Sequence, residues 1–274
     1  MARITCRSRL ETLAGILHFL GGCLGAAACL AIFLEVDILK ILAWATYVLP
    51  FDHVQYKYEL FAGMAGACEH ESNPDGSWRW MCLPWENWAP GALYCADTSA
   101  TPMTAAGPLS DEGAAAYCAL IGMKMVLPVL TFAGMGLPVA SPILLGCVVM
   151  RCTESKKLHK LFTVVCSTAS GLCFAAVAVL YATASNPVPF LIASMAPIVE
   201  SVDQQTGFNV VPSAGLGVGW LCTIGAAACM LASAAVSAAL VDPKACTKKA
   251  GAGNADRGGA TELSGPRDVS SLFA

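Results

Sequence analysis

The sequence predicts a membrane bundle of four transmembrane α-helices with a small extracellular β-sheet from the first outer loop. Three observations carry that prediction. Only 13% of the 274 residues are charged and 56% are hydrophobic, whereas a soluble domain carries about a quarter charged residues. The charges are clumped, which leaves four uncharged runs: Leu13–Leu34, Met125–Val149, Leu161–Ala184 and Gly215–Val241. One polar stretch, Val54–Phe61, alternates apolar and polar residues with the period of a half-buried strand.

Each run exceeds the roughly 20 residues that a helix needs to cross a hydrocarbon core about 30 Å thick. Arg3, Arg7 and Arg9 precede the first run, as they would a secretory signal. Its apolar length is too great for the roughly 7–15 residues of a signal core, and Ala26-Ala27-Ala28-Cys29 is only a weak lipoprotein cleavage site. Orientation follows from the basic residues. Arg3, Arg7, Arg9, Arg151, Lys156, Lys157, Lys160, Lys244, Lys248, Lys249, Arg257 and Arg267 all fall on one side, out of 16 Lys and Arg. That side is cytosolic, with both termini inside. The expected organisation is a cytosolic N-terminus (1–12), a transmembrane domain (13–241) with outer loops 50–117 and 185–212, and a cytosolic tail (242–274). The tail is rich in Gly, Ala, Ser and charge, and is expected to be disordered. The chain is expected in the plasma membrane.

An open strand edge cannot sit in lipid, so the strand at Val54–Phe61 belongs outside the membrane. A small outer sheet has too little core to stand alone, and a staple is expected. The chain has fourteen cysteines. Seven fall within the runs and read as small hydrophobes, and three are cytosolic. Cys68, Cys82, Cys95 and Cys118 lie in the first outer loop or at its end. An oxidising compartment favours their pairing. Cys82–Cys95 is the first expected pair and Cys68–Cys118 the second, although four cysteines allow three connectivities. Trp78, Trp80, Trp85 and Trp88 crowd the same segment. Large aromatics with one polar N–H suit a half-apolar site, so they are expected between sheet and bilayer, around the Cys82–Cys95 staple. A carbohydrate-binding platform is the alternative.

No catalytic set, phosphate loop or metal spacing is present. His53 and His70 lack the spacing to join these cysteines at zinc. His18, inside the first run, reads as a helix-contact residue, and Lys124 as a snorkelling side chain. The four runs hold no Asp or Glu, which argues against an ion-coupled pump. The expectation is no enzyme, no cofactor and no nucleic-acid partner. The lipid bilayer is the expected partner, with other copies or other membrane proteins alongside. Gly21 and Gly25 form G-x-x-x-G, which permits close helix packing.

The layout and several short motifs resemble the claudin superfamily (the claudin, peripheral myelin protein and epithelial membrane protein type), as a divergent member. Gly15, Gly22 and Gly25 hold that family's first-span G-x6-G-x-x-G pattern. Met150-Arg151-Cys152-Thr153 is similar to its G-M-K-C-T. Asn186-Pro187 and "GLGVGW", Gly215 to Trp220, resemble its second outer loop. Gly76-Ser77-Trp78, followed by Trp80, Cys82 and Cys95, resembles its G-L-W-x-x-C…C signature. Departures are equally plain. Ser77 replaces the leucine, one extra residue separates Trp78 from Cys82, and the tryptophan that follows the family's first span has only Trp44 as a substitute. Glu35–Pro50 looks like an insertion.

The resemblance implies a structural protein that assembles laterally or between cells through its outer sheet. It would organise a membrane domain, an adhesion site or a paracellular barrier. The alternative is an auxiliary or pore-forming channel subunit with cation preference. Loop 50–117 holds nine acids against Lys57 and Arg79. By the resemblance Glu69, Glu71, Asp75 and Glu86 are ion-selectivity candidates, and Cys152 and Cys246 are acylation candidates. Leu272-Phe273-Ala274 faintly resembles a PDZ-binding carboxyl end.

Overall fold

The structure, a computed structural model, describes residues 2–33, 35–49, 58–72, 77–88, 95, 103–104, 107–108, 110–149, 156–206 and 212–241. The elements in chain order are α1 (Ala2–Leu30), α2 (Val36–Leu42), β1 (Ala45–Leu49), β2 (Tyr58–Ala62), β3 (Gly66–Ser72) and β4 (Trp78–Pro84). Then come α3 (Trp85–Trp88), β5 (Met103–Thr104), β6 (Gly107–Pro108), α4 (Asp111–Met123), α5 (Val126–Val149) and α6 (Lys156–Thr183). The described chain closes with α7 (Val188–Thr206), β7 (Ser213–Leu216) and α8 (Val218–Val241).

The chain is mostly helical with a small antiparallel sheet. Three helical stretches are long and apolar enough to cross a membrane: Ser8–Leu30, Lys160–Pro197 and Val218–Leu240. A fourth arises if α4 and α5, bent by 43° at their junction, count as one span. Small residues let these helices approach. A Cβ at Gly21 would lie 3.1 Å from Met230 of α8, and one at Gly25 would lie 2.6 Å from the ring of Phe174 on α6. Buried hydroxyls bond to backbone carbonyls of neighbouring helices, as an apolar surrounding demands. Ser170 donates to the Gly134 carbonyl at 2.6 Å and Ser233 to that of Ala14 at 3.0 Å. His18 Nδ1 lies 3.2 Å from Ser167 Oγ, a contact between α1 and α6.

The main sheet has strand order β4-β3-β2-β1-β7. Strand β7, between α7 and α8, pairs antiparallel with β1. Alternation along the strands puts Ala45, Tyr47 and Leu49 of β1, Leu60 and Ala62 of β2, and Ala67 of β3 on one buried face. Against that face pack Trp85 of α3, Tyr117 and Leu120 of α4, and Phe190, Leu191 and Met195 of α7. The opposite face carries Thr46, Val48, Glu59 and Phe61, all half-buried.

Several elements differ from the sequence expectation. The strand expected at Val54–Phe61 starts, among the described residues, at Tyr58; residues 54–57 lie outside them. The segment read as an insertion supplies α2 and β1. The expected loop 185–212 contains α7, whose apolar positions complete the sheet's core. The fourth run begins in β7 and becomes helical only at Val218, and the first ends as a helix at Leu30. The tail 242–274 lies outside the described residues.

Candidate functional site in the outer sheet

The sheet is seated on the helices by backbone contact. The Trp44 N–H donates to Ala62 O at 2.8 Å. The Trp44 carbonyl accepts from Gly217 N at 2.7 Å, and Ala43 O accepts from Gly219 N at 3.0 Å. A Cβ at Gly219 would meet Trp44 Cδ1 at 2.6 Å. Only glycine fits there, so "GLGVGW" is a backbone docking strip. Gly63 performs the same service on the other side, where a Cβ would lie 2.7 Å from Ala31 O. The Trp44 ring meets Tyr181 of α6 edge-on at 4.8 Å. Trp44, Tyr181, Leu127 of α5, Ala28 of α1 and Met64 share one buried cluster, with Trp220 of α8 against it. All four longest helices therefore hold the sheet at one point.

The clustered tryptophans divide between the sheet's two faces. Trp85 is buried, and its indole N–H lies 3.3 Å from Gly63 O and 3.1 Å from Met64 O. Tyr117 returns a hydroxyl bond to Trp85 O at 2.8 Å. Phe190 packs against both rings. Trp88 donates to Leu83 O at 3.0 Å. Trp80 stacks on Phe61 at 6.0 Å and carries Lys40 of α2 over its ring at 4.4 Å. The expected packing between sheet and bilayer is thus corrected for Trp85, which locks the sheet to α4 and α7. Trp78 belongs to β4, and Gly76 lies outside the described residues. Tyr47 sits in the same core, and burial pushes its hydroxyl up to about 12.

The cysteine pairing is also corrected. All four outer-loop cysteines are bonded, but as Cys68–Cys82 and Cys95–Cys118, not as Cys82–Cys95 and Cys68–Cys118. The reason is register. Cys68 of β3 stands directly opposite Cys82 of β4, with Cα atoms 4.0 Å apart. The second bridge ties the segment after α3 to α4. The strand signal of β3 and β4 was missed because neither alternates cleanly.

The acidic candidates are partly engaged. Glu86 of α3 forms an ion pair with Lys124 at the α4–α5 bend, so Lys124 meets a carboxylate rather than simply snorkelling. Glu69 accepts from the Tyr58 hydroxyl at 2.9 Å. Glu71 stands opposite Arg79 in the β3–β4 register. Asp75 lies outside the described residues, as do Cys152 and Cys246.

Of the candidate packing glycines, Gly21 and Gly25 touch neighbouring helices, whereas a Cβ at Gly15 or Gly22 would meet nothing within 4 Å. The expectation of helix packing is corrected for those two. Among the described residues no group of three His, Cys, Asp or Glu is placed to hold a metal. Compared with models of protein families and with curated proteins, the chain matches none.

Proposed function

We propose that this chain is a divergent claudin-like tetraspan protein of the plasma membrane, with both termini in the cytosol. It assembles laterally or between cells through its outer sheet, and so organises a membrane domain, an adhesion site or a paracellular barrier. The observation that carries the reading is the sheet itself. In it strand β7, which directly precedes α8, joins the four strands that lie between α2 and α3, backbone bonds seat it on the helices, and α4 and α7 back it. Such a unit is stiff, and β4 ends it on one side with no further strand among the described residues. An edge strand presents a row of N–H and C=O groups that a partner can pair.

The family resemblance rests on the layout and on the short motifs of the first span and of "GLGVGW", not on the cysteine signature, because Cys82 is bonded to Cys68 and not to Cys95. Trp44, immediately before β1, takes the place of the tryptophan that follows the family's first span. The four-span reading takes α5 as the second span, with α4 beyond the bend and packed on the sheet, and the inner-side basic residues orient it. Reversible acylation at Cys152 and Cys246 completes the cytosolic side.

The test is a mixed culture of non-adherent cells, half of them expressing the tagged chain. Enrichment at contacts between two expressing cells, and not at contacts with non-expressing cells, is the expected result. An even distribution over the surface together with migration as a single copy in mild detergent, or migration with a larger channel, would contradict it.

A further inference from the structure

We propose that α2 lies flat in the outer leaflet's interface and takes the lipid headgroup boundary as its ligand, tethering the sheet to the bilayer. The inference rests on the reading that α1, α5, α6 and α8 span the membrane. Leu39 of α2 is fully buried, and Leu39 Cδ2 would lie 3.0 Å from a Cβ at Gly63. Two residues further along a helix is about 200° around its axis at 3.6 residues per turn. Ile41 therefore points away from the protein, and it is 70% exposed. Glu35, Asp37 and Lys40 are also exposed. The helix thus turns Ile41 outward with Asp37 one turn before it on the same side and Glu35 and Lys40 nearby, the mixed apolar and charged composition of an interfacial segment.

The level of α2 along the bundle identifies what covers that side. Cys29 Sγ of α1 bonds to Thr131 O of α5, and Gly25 lies against Met135 one turn deeper. One turn outward brings Phe33 level with Leu127. Phe33 is 54% exposed there, and Met125 at the α4–α5 bend and Val129 of α5 are 68% and 61% exposed. A Cβ at Gly63 would lie 2.7 Å from Ala31 O and 3.0 Å from Leu39 Cδ2, and one at Gly219 would meet Leu42 O, so α2 sits where α1 ends and α8 begins, and Ile41 continues this exposed apolar band. The charged pair Lys124 and Glu86 marks the same height. Apolar side chains give way to charged ones at a bilayer boundary, so lipid, rather than a second copy, is the occupant that continues this band. Lys40 reaches back from α2 over Trp80 of β4. The tether fixes the height of β4 above the leaflet.

A fluorescent amino acid placed singly at Ile41, at Phe19 (mid-α1, 70% exposed) and at Ser213 (exposed in β7) tests this. The full chain goes into phosphatidylcholine vesicles whose acyl chains carry bromine either near the headgroup or near the bilayer centre. At position 41 the shallow bromine should quench most strongly. At position 19 the deep bromine should dominate. Position 213 should respond to neither, and only to aqueous iodide. If position 19 escapes both bromines, the membrane-spanning reading itself fails. If position 19 behaves as expected but position 41 answers to iodide alone, to deep bromine, or to no quencher, the interfacial placement of α2 is overturned with the spanning reading intact.

Discussion

Trp44 lies against Gly219 so closely that a methyl group there would sit 2.6 Å from the indole Cδ1. The contact joins the segment that opens the sheet to the first turn of α8. Gly219→Ala should cost about 1–3 kcal/mol through overpacking, read as a lower unfolding temperature of the purified protein in detergent. Gly22→Ala is the counterpart. Its Cβ would meet nothing within 4 Å, and alanine is the better helix former by about 1 kcal/mol. It should be neutral or stabilising. Equal losses in the two variants would contradict the docking strip.

The disulfide register gives a second prediction. Digestion without reduction should release one linked pair of peptides holding Cys68 and Cys82, and another holding Cys95 and Cys118. Cys82→Ser should destabilise the outer domain by about 2–5 kcal/mol, the usual loss for a staple in a small domain. Recovery of a peptide joining Cys82 to Cys95 would contradict the strand pairing of β3 with β4.

Tyr47 gives a pH window. Its folded hydroxyl is pushed up to about 12 by burial, whereas an unfolded tyrosine ionises near pH 10. Below about pH 10 both states are neutral, and the full stability is present. Between about pH 10 and 12 the unfolded chain releases the proton first, so stability falls by up to roughly 3 kcal/mol. Tyr47→Phe should flatten that part of the decline, and the late tyrosinate absorbance step should vanish with it. An unchanged profile would place Tyr47 in a wetter setting.

The ion pair of Glu86 with Lys124 is predicted to matter little. Their side chains are 51% and 33% exposed, and exposed pairs are worth about 0–1 kcal/mol. Glu86→Gln should therefore cost less than about 1 kcal/mol, and raised salt should erase the difference. A larger, salt-resistant loss would mean that the α3 contact with the α4–α5 bend carries more of the fold.

The long apolar helices were legible in the sequence because the uncharged runs are longer than any core helix needs. Their ends were not. Gly215 and Leu216 read as part of the last run, yet they pair with Thr46 and Ala45 of β1, since small apolar residues suit a strand as well as a span. Helix α4 left a signal that went unused. Ser110 caps it, accepting from Gly113 N, and Asp111 and Glu112 follow in the first turn. Strand β1 is too short for its alternation to stand out. The bridge partners depend on which residues face each other across β3 and β4, and that register is tertiary. The four cysteines could be named from their compartment, but their partners could not.

The proposal that the outer sheet joins one copy to another is tested most directly at β4. A photo-crosslinking amino acid in place of Arg79, which is exposed on that strand, reports what lies along the edge in intact membranes. The result predicted is a dimer-sized product containing two copies of this chain, absent when the same group replaces Ile192 on the outer side of α7. Crosslinks from position 79 only to other proteins, or to none, would contradict assembly through the sheet.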